Sequence, residues 1–300
     1  MRKRDLFVFL ILIVILLSGC SNDLQFRFAV YGDSQQDVKK NTNHQIHKTI
    51  FARIVADNPD FIIHLGDIVD HGNNEKEWEI FHNITKDFRE KEPVEGLVSR
   101  FYPTIGNHDG LEMYKQYFNF YPINKTKYSF DYKNAHFLAY DYSSYYYNKD
   151  EKDTELFNWI INDLNNTDKE WIFAYTHYPI YSGGRHYSEW NKAREDIFEE
   201  YNVDMHFSGH DHNYQRTWPI YNKGIDYDKG IIYIVSGGGG DKLYHTKGNV
   251  HKDDYSEAWW IGKGKKINHY VIVDVYEKTV KLIVKDINGT IIDRWVLAQK

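Results

Sequence analysis

Six side chains able to bind metal or activate water each follow a stretch that reads as a β-strand: Asp33, Asp67, Asn107, His177, His210 and His212. They lie in Gly32-Asp33-Ser34-Gln35, Gly66-Asp67-Ile68-Val69-Asp70, Gly106-Asn107-His108-Asp109, Thr176-His177 and Gly209-His210-Asp211-His212. Loops beyond the carboxyl ends of strands are where α/β sheets collect ligand sites, because several loops converge there. Carboxylate, amide and imidazole donors in one set suit divalent or trivalent transition metals such as Mn, Fe or Zn, whereas an all-oxygen set would point to Ca or Mg. The set is too large for one ion. Two ions about 3.5–4 Å apart, sharing a carboxylate, would clamp the attacking and leaving oxygens of an in-line phosphoryl displacement.

Hydrophobic patterning places the elements that must hold these donors. Strands are expected at residues 26–31, 60–65, 101–105, 171–175 and 203–207, each running into one of the clusters. Helical spacing covers residues 43–56, 75–90, 154–164 and 188–201, and residues 128–131 and 135–141 read as a hairpin about Lys133-Asn134. Strand, loop and helix in repetition argue a layered α/β domain. Beyond a strand at 231–235 and the run Gly237 to Gly240, residues 270–276, 279–285 and 291–297 read as successive hairpin strands. Three strands alone make a poor core, so they are expected to pack onto the main sheet.

The chain has 300 residues, a formal charge of -6, 42% hydrophobic and 27% charged residues, a balance that fits one folded domain after a short leader. A net negative chain without clustered Lys and Arg is not expected to present a nucleic acid-binding surface. Aromatics reach 17% with 25 Tyr, which reads as proteome bias rather than a stacking surface. At the start, Arg2, Lys3 and Arg4 precede an apolar run from Leu6 to Leu17, then Leu17-Ser18-Gly19-Cys20. Charge, length and small residues make this a signal peptide, and the run is short of the ~20 residues of a membrane span. The stretch resembles the bacterial lipobox, in which the cysteine becomes the lipid-bearing N-terminus. The reading is therefore a lipoprotein signal peptide over residues 1–20, a tether over 21–25 and one domain over 26–300, extracytoplasmic and touching the membrane only through a lipid on Cys20.

The ordered series GDSQ, GDIVD, GNHD, THYP and GHDH resembles the calcineurin-like metallophosphoesterases. Within them, THYPIYSGGRHY, GHDHNYQRT and YIVSGGGG are most similar to the purple acid phosphatase branch. The resemblance implies a four-layer α/β/β/α sandwich of two mixed sheets flanked by helices. It further implies that Asp33, Asp67 and His212 hold one metal, and that Asp67, Asn107, His177 and His210 hold the other. Asp67 then bridges, a hydroxide shared by the ions is the nucleophile, and His108 protonates or stabilises the leaving oxygen. His186 aligns with a phosphate-contacting histidine of that branch. Two departures stand out: the superfamily commonly has histidine at the position of Gln35, and purple acid phosphatases have a metal-binding tyrosine at that of Asp70. Gln35 and Asp70 are thus candidates for a weak ligand or for an outer contact to a metal-bound water.

The expected function is hydrolysis of a small phosphorylated substrate, as an acid-phosphatase-like phosphomonoesterase. A phosphodiesterase or nucleotide pyrophosphatase is the alternative suggested by Gln35, and a lipid-anchored binding protein with a decayed metal centre is the non-enzymatic one. Plainer readings apply elsewhere. Asp70 and Asp109 read equally as helix N-caps, His64 as a sheet histidine, and His71, His136, His206 and His251 as structural or solvated. Asp211 points away from its flanking histidines in an extended GHDH and is left out of the ligand set. Gly237 to Gly240 fit a phosphate-binding loop or a sharp turn needing permissive dihedrals, and Trp259 and Trp260 a substrate-facing lip or core.

Overall fold

Phenylalanines at alternate positions of several strands decide the architecture, because successive strand residues point to opposite faces. In β1 (Phe26–Tyr31), the ring of Phe28 lies 5.2, 5.4 and 6.1 Å from those of Phe137, Phe173 and Phe207. Those three rings belong to β5 (Ala135–Ala139), β6 (Trp171–Tyr175) and β7 (Met205–Ser208) of a second sheet. Tyr31 faces the other way, its hydroxyl 3.1 Å from His47 Nε2 in α1 (Asn41–Ala56). This computed structural model describes residues 23–119, 125–141, 154–183, 192–245 and 261–299. Cys20 with its leader, His186, His251, Trp259, Trp260 and the start of the helix expected from residue 188 lie outside them.

The first sheet runs β15-β14-β13-β1-β2-β3, with β2 (Phe61–His64), β3 (Phe101–Pro103), β13 (His269–Val275), β14 (Thr279–Asp286) and β15 (Ile291–Ala298). β1, β2 and β3 are parallel, and β13 pairs antiparallel with β1, so the tail strands extend this sheet. The second runs β12-β8-β11-β7-β6-β5-β4, adding β4 (Tyr128–Tyr132), β8 (Tyr214–Thr217), β11 (Ile232–Ser236) and β12 (Ile261–Lys265). Here β5, β6, β7 and β11 are parallel. A small ribbon, β9 (Ile220–Tyr221) with β10 (Gly224–Ile225), lies apart.

Helices cover both outer faces. Ile50, Phe51 and Ile54 of α1, and Trp78, Phe81 and Phe88 of α2 (Glu75–Arg89), bury against the first sheet's side of the core. On the far side Leu156, Ile160 and Leu164, spaced one turn apart in α4 (Thr154–Asn165), pack with Leu138, Ile172 and Ala174, joined by Phe198 of α5 (Lys192–Glu200). The result is the expected layering of helices, two mixed sheets and helices.

Several details differ from expectation. A short helix, α3 (Leu111–Tyr117), follows Gly110, and β8, β9, β10 and β12 had no periodic signal. Neither acidic residue caps a helix: α2 begins after Asn74 and α3 after Gly110. Asp109 instead accepts from the amides of Ile68, Val69 and Gly106 at 2.8, 3.2 and 2.9 Å, tying two loops together. Among the described residues, no helix is long and apolar enough to cross a membrane.

His136 is structural, sandwiched between Asp131 Oδ1 at 2.7 Å and Asp163 Oδ2 at 2.8 Å, which joins β4, β5 and α4. Burial lowers its pKa, but the two carboxylates outweigh burial and raise it above its usual value. Stability from this contact is therefore complete below the unfolded histidine pKa of ~6.5 and fades as pH rises through the raised folded value. His136→Gln should destabilise by about 1 kcal/mol more at pH 6 than at pH 9 in urea melts. An equal loss at both pH values would show that the ion pairs contribute nothing.

Candidate metal centre

The parallel strands of both sheets deliver their carboxyl ends to one rim. Asp33 follows β1, Asp67 follows β2, Asn107 and His108 follow β3, His177 follows β6, and His210 and His212 follow β7. The loops hydrogen-bond to one another there: Asp33 N donates to Gly66 O at 3.0 Å, Gln35 N to Asp67 O at 2.9 Å and Gly209 N to His177 O at 2.9 Å. Asp33, Asp67 and His210 have left-handed backbones, with φ of 59°, 51° and 67°. Such conformations are costly for side-chain-bearing residues and persist only where surroundings enforce them, often at functional sites.

Among the described residues three groups of side chains have ligand atoms all within 4.8 Å of one another: Asp67, His177 and His210; Asp33, Asp67 and His212; and, apart from these two, the more exposed Asp37, Asp70 and His71. Asp67 alone belongs to both of the first two. Its Oδ2 lies 3.3 Å from His177 Nε2, and Asp33 Oδ1 lies 3.4 Å from His212 Nε2. Asn107 Oδ1 is 3.0 Å from His177 Nε2, and His210 Nδ1 is 3.1 Å from the same nitrogen, so all six expected donors meet. His177 Nδ1–H donates to Leu65 O at 2.8 Å and His212 Nδ1–H to Lys242 O at 2.9 Å, which frees each Nε2 as a ligand. Buried acid and imidazole with overlapping contacts form a donor set suited to transition metals. Gln35 adds an independent sign: its Nε2 donates to Asp67 Oδ2 at 3.1 Å, while its buried Oε1 has no partner among the described residues. A buried amide oxygen without a donor is destabilising unless a cation or water completes it.

Asp70 stands outside the two groups that share Asp67 and belongs to the third. Its carboxylate lies 2.9 Å from Lys40 Nζ and 3.2 Å from His108 Nδ1, and its carbonyl accepts from His108 Nδ1 at 2.9 Å. His64 is a buried sheet histidine, between Ser34 Oγ and the Gly66 amide, and its pKa is pushed well below normal by burial. Asp211 accepts from Ser182 Oγ and lies outside the ligand groups, but not because GHDH is extended: His210 is left-handed and Asp211 N donates to Gly209 O at 2.8 Å. The glycine run serves close approach: a Cβ on Gly237 would lie 2.8 Å from Asp33 Oδ2, and one on Gly209 would lie 2.5 Å from it. Gly237 and Gly239 amides already donate to Asn213 and Gly32 carbonyls, so they are not a free phosphate nest.

Over residues 26–214, more than half of the chain, the sequence matches the family profile "Calcineurin-like phosphoesterase". The chain belongs to this family. Among curated relatives, acid phosphatase type 7 of Mus musculus is 28% identical over 169 residues, covering 45% of this chain and 39% of that protein. Purple acid phosphatase 21 of Arabidopsis thaliana is 35% identical over 123 residues, covering 38% of this chain and 27% of that protein. The chain therefore matches less than half the length of either. A solved purple acid phosphatase from yellow lupin (Lupinus luteus) seeds superposes with a TM-score of 0.73 at 19% identity, over 92% of this chain and 54% of that one.

Sequence reading missed Asp241 and Tyr244, which brace this phosphoesterase site. Asp241 Oδ2 is 3.5 Å from His212 Nδ1, and the Tyr244 ring stacks on His212 at 4.4 Å. The glycine run just before them was the available signal, since a loop pressed that closely onto Asp33 must carry its next side chains to the same place.

In the metal-free protein, burial raises Asp67 but the charge of His177 outweighs it and holds the carboxyl below its usual range. Burial raises Asp33, and contact with His212 offsets this only in part. For Asp109, burial and then the charge of Asp67 push the carboxyl up to about 7. Burial lowers His177 and His212, yet Asp67 and Asp33 respectively outweigh it and push each up to about 9. Both histidines then carry protons at neutral pH that a metal must displace, so apparent affinity should weaken as pH falls below about 9. Zinc titration calorimetry in buffers of different ionisation heat should show proton release at pH 7 that disappears above pH 9; no release at pH 7 would rule this out.

Proposed function

We propose that this protein is a phosphomonoesterase acting on small phosphorylated substrates through two transition-metal ions, Mn, Fe or Zn. The observation that carries the reading is that Asp67 belongs to both donor groups while no other residue does. Asp33, Asp67 and His212 are assigned to one ion, and Asp67, Asn107, His177 and His210 to the other. When bound, the ions supply Lewis acidity and a water acidified enough to act as nucleophile near neutral pH. Similarity to acid phosphatases supports monoester hydrolysis.

The chain's own residues then position and move protons. Asp70 holds His108 by its carbonyl at 2.9 Å, which fixes the Nδ1–H tautomer and leaves Nε2 to exchange a proton with the leaving oxygen. His108 N donates to Asp67 Oδ1 at 2.9 Å, so the proton donor is keyed to the shared carboxylate by backbone. The amide of Gln35 keeps Asp67 oriented and is assigned as a weak ligand or water contact. His186 is assigned to phosphate by resemblance alone.

Loaded with Mn, Fe or Zn, the wild type should release phosphate from an aryl monophosphate faster than it cleaves a bis-aryl phosphate; the reverse order would replace this reading with a phosphodiesterase. Asp67→Asn should lower kcat/KM by at least about a hundredfold together with metal content. His108→Asn should keep its metals and lose about a hundredfold in kcat on an alkyl phosphate, and less on a nitrophenyl ester whose leaving group needs no proton. Inactivity of the wild type across all metals would sink the enzymatic reading.

We also propose export and a lipid on Cys20. Cys20→Ser expressed in a bacterial host should move from the membrane fraction to a soluble one, and an unchanged distribution would remove the anchor.

A further inference from the structure

Glu77 lies in the first turn of α2 with no exposed surface, although acids are rarely buried unless they are paired. A carboxylate taken out of water is costly unless donors surround it, and here four do. The backbone amides of Asp70 and His71 donate to Oε2 at 3.1 and 2.7 Å, while His71 Nδ1–H and Asn74 Nδ2 donate to Oε1 at 3.0 and 2.9 Å. Helix capping accounts for little of this. In a capping box the acid at this position takes the backbone N–H of the residue before the helix, yet the Asn74 amide donates to His71 O at 2.8 Å instead. Three of the four donors belong to Asp70 and His71, outside the helix.

The loop held in this way is the one that holds His108. A peptide unit is planar, so the Asp70 carbonyl and the His71 amide turn together as one plate. Glu77 grips the amide end at 2.7 Å, and the carbonyl end accepts from His108 Nδ1 at 2.9 Å. The next residue is fixed as well: Trp78 Nε1 donates to Gly72 O at 2.8 Å, and a Cβ on Gly72 would lie 1.9 Å from the nitrogen of Gly110. The first turn of α2 thus presses residues 70–72 against the loop that carries Asn107 and His108.

We infer that Glu77 is a positioning residue for the hydrolysis: it sets the Asp70–His71 peptide so that Asp70 O selects the Nδ1–H tautomer of His108. The inference rests on the role proposed above for His108 and adds the residue that enforces it. Among the described residues, Glu77 belongs to none of the groups able to surround an ion, and it exchanges no proton in the reaction.

Glu77→Gln keeps the size of the side chain but replaces one oxygen by an NH2, so in either orientation donors of the loop meet another donor. Nitrogen NMR of the imidazole rings in zinc-loaded protein at about pH 9, with His108 assigned by its loss in His108→Asn, reads the tautomer directly. Wild type should show the Nδ1–H form, and Glu77→Gln a mixture of both. With metal content unchanged, kcat of Glu77→Gln on an alkyl phosphate should fall about tenfold and on a nitrophenyl ester stay within about twofold. Asn74→Ala removes only the donor on the helix side, so it should lower the urea midpoint and leave the tautomer and the ratio between the two esters as in wild type. A wild-type tautomer in Glu77→Gln, or an equal loss on both esters, overturns the assignment. Should Glu77→Gln fail to fold, Glu77→Asp, whose carboxylate is drawn back from the loop by one methylene, gives the same readings with the same outcomes. If wild type hydrolyses neither ester, the hydrolase reading fails by itself, and the tautomer measurement still decides the role of Glu77.

Discussion

A single buried carboxylate, Asp67, imposes most of the arrangement around it. It sits in a left-handed backbone and is almost wholly removed from water, where an uncompensated charge would be costly. Compensation has to come from other segments: the His108 amide reaches Oδ1 at 2.9 Å, and the Gln35 amide and the His177 ring reach Oδ2 at 3.1 and 3.3 Å. Each partner arrives from the end of a different strand, so satisfying this charge requires three loops to converge. Asp33 repeats the pattern with the His210 amide at 2.9 Å. Two such carboxylates in one dry cleft favour cations strongly, and protonated His177 and His212 are the chain's own substitutes.

The sheets make that convergence possible, and the tail makes one of the sheets possible. Without β13, β1 would be an edge strand with unpaired backbone groups beside the site. The same tail segment braces the glycine loop: Asn268 Nδ2 donates to Gly238 O at 3.0 Å, and His269 Nε2 lies 3.0 Å from Ser236 Oγ. That loop in turn presses on Asp33 and carries Asp241 to His212. Residues far beyond the last ligand thus bear on the geometry of the first.

The donor cluster was legible because each donor follows an apolar strand, all but His177 in a short, glycine-led cluster, a pattern that survives without knowing the fold. What escaped notice lacked periodicity for identifiable reasons. β8, Tyr214 to Thr217, is polar in letters yet wholly buried, since Arg216 pairs with Asp293 at 2.8 Å and Gln215 bonds Ser182 and Asn213. β12 alternates lysine with glycine, a composition that reads as loop and suits the sheet edge it occupies. The second role of Asp109 was hidden because its partners, the Ile68 and Val69 amides, lie about 40 residues away. Asp241 and Tyr244 carry no ligand motif of their own; beyond the glycine run before them, only tertiary packing shows that they meet His212.

The two departures at Gln35 and Asp70 are best understood together. Asp70 faces Lys40 and His108 instead of the two groups that share Asp67, so its charge is spent on holding a proton donor and a lysine. Beside the group around Asp33, Asp67 and His212 stands Gln35, which holds Asp67 through its Nε2 and keeps an Oε1 unpartnered among the described residues, and an amide brings no charge. One of the group's two carboxylates is also shared with the neighbouring group. The Asp33 group nonetheless holds two carboxylates and one imidazole, whereas the other has the shared carboxylate, two imidazoles and the Asn107 amide, so the two positions differ in charge and in donor type. The asymmetry makes the Asp33 group the more anionic of the two and the group that adjoins His108 the richer in nitrogen donors.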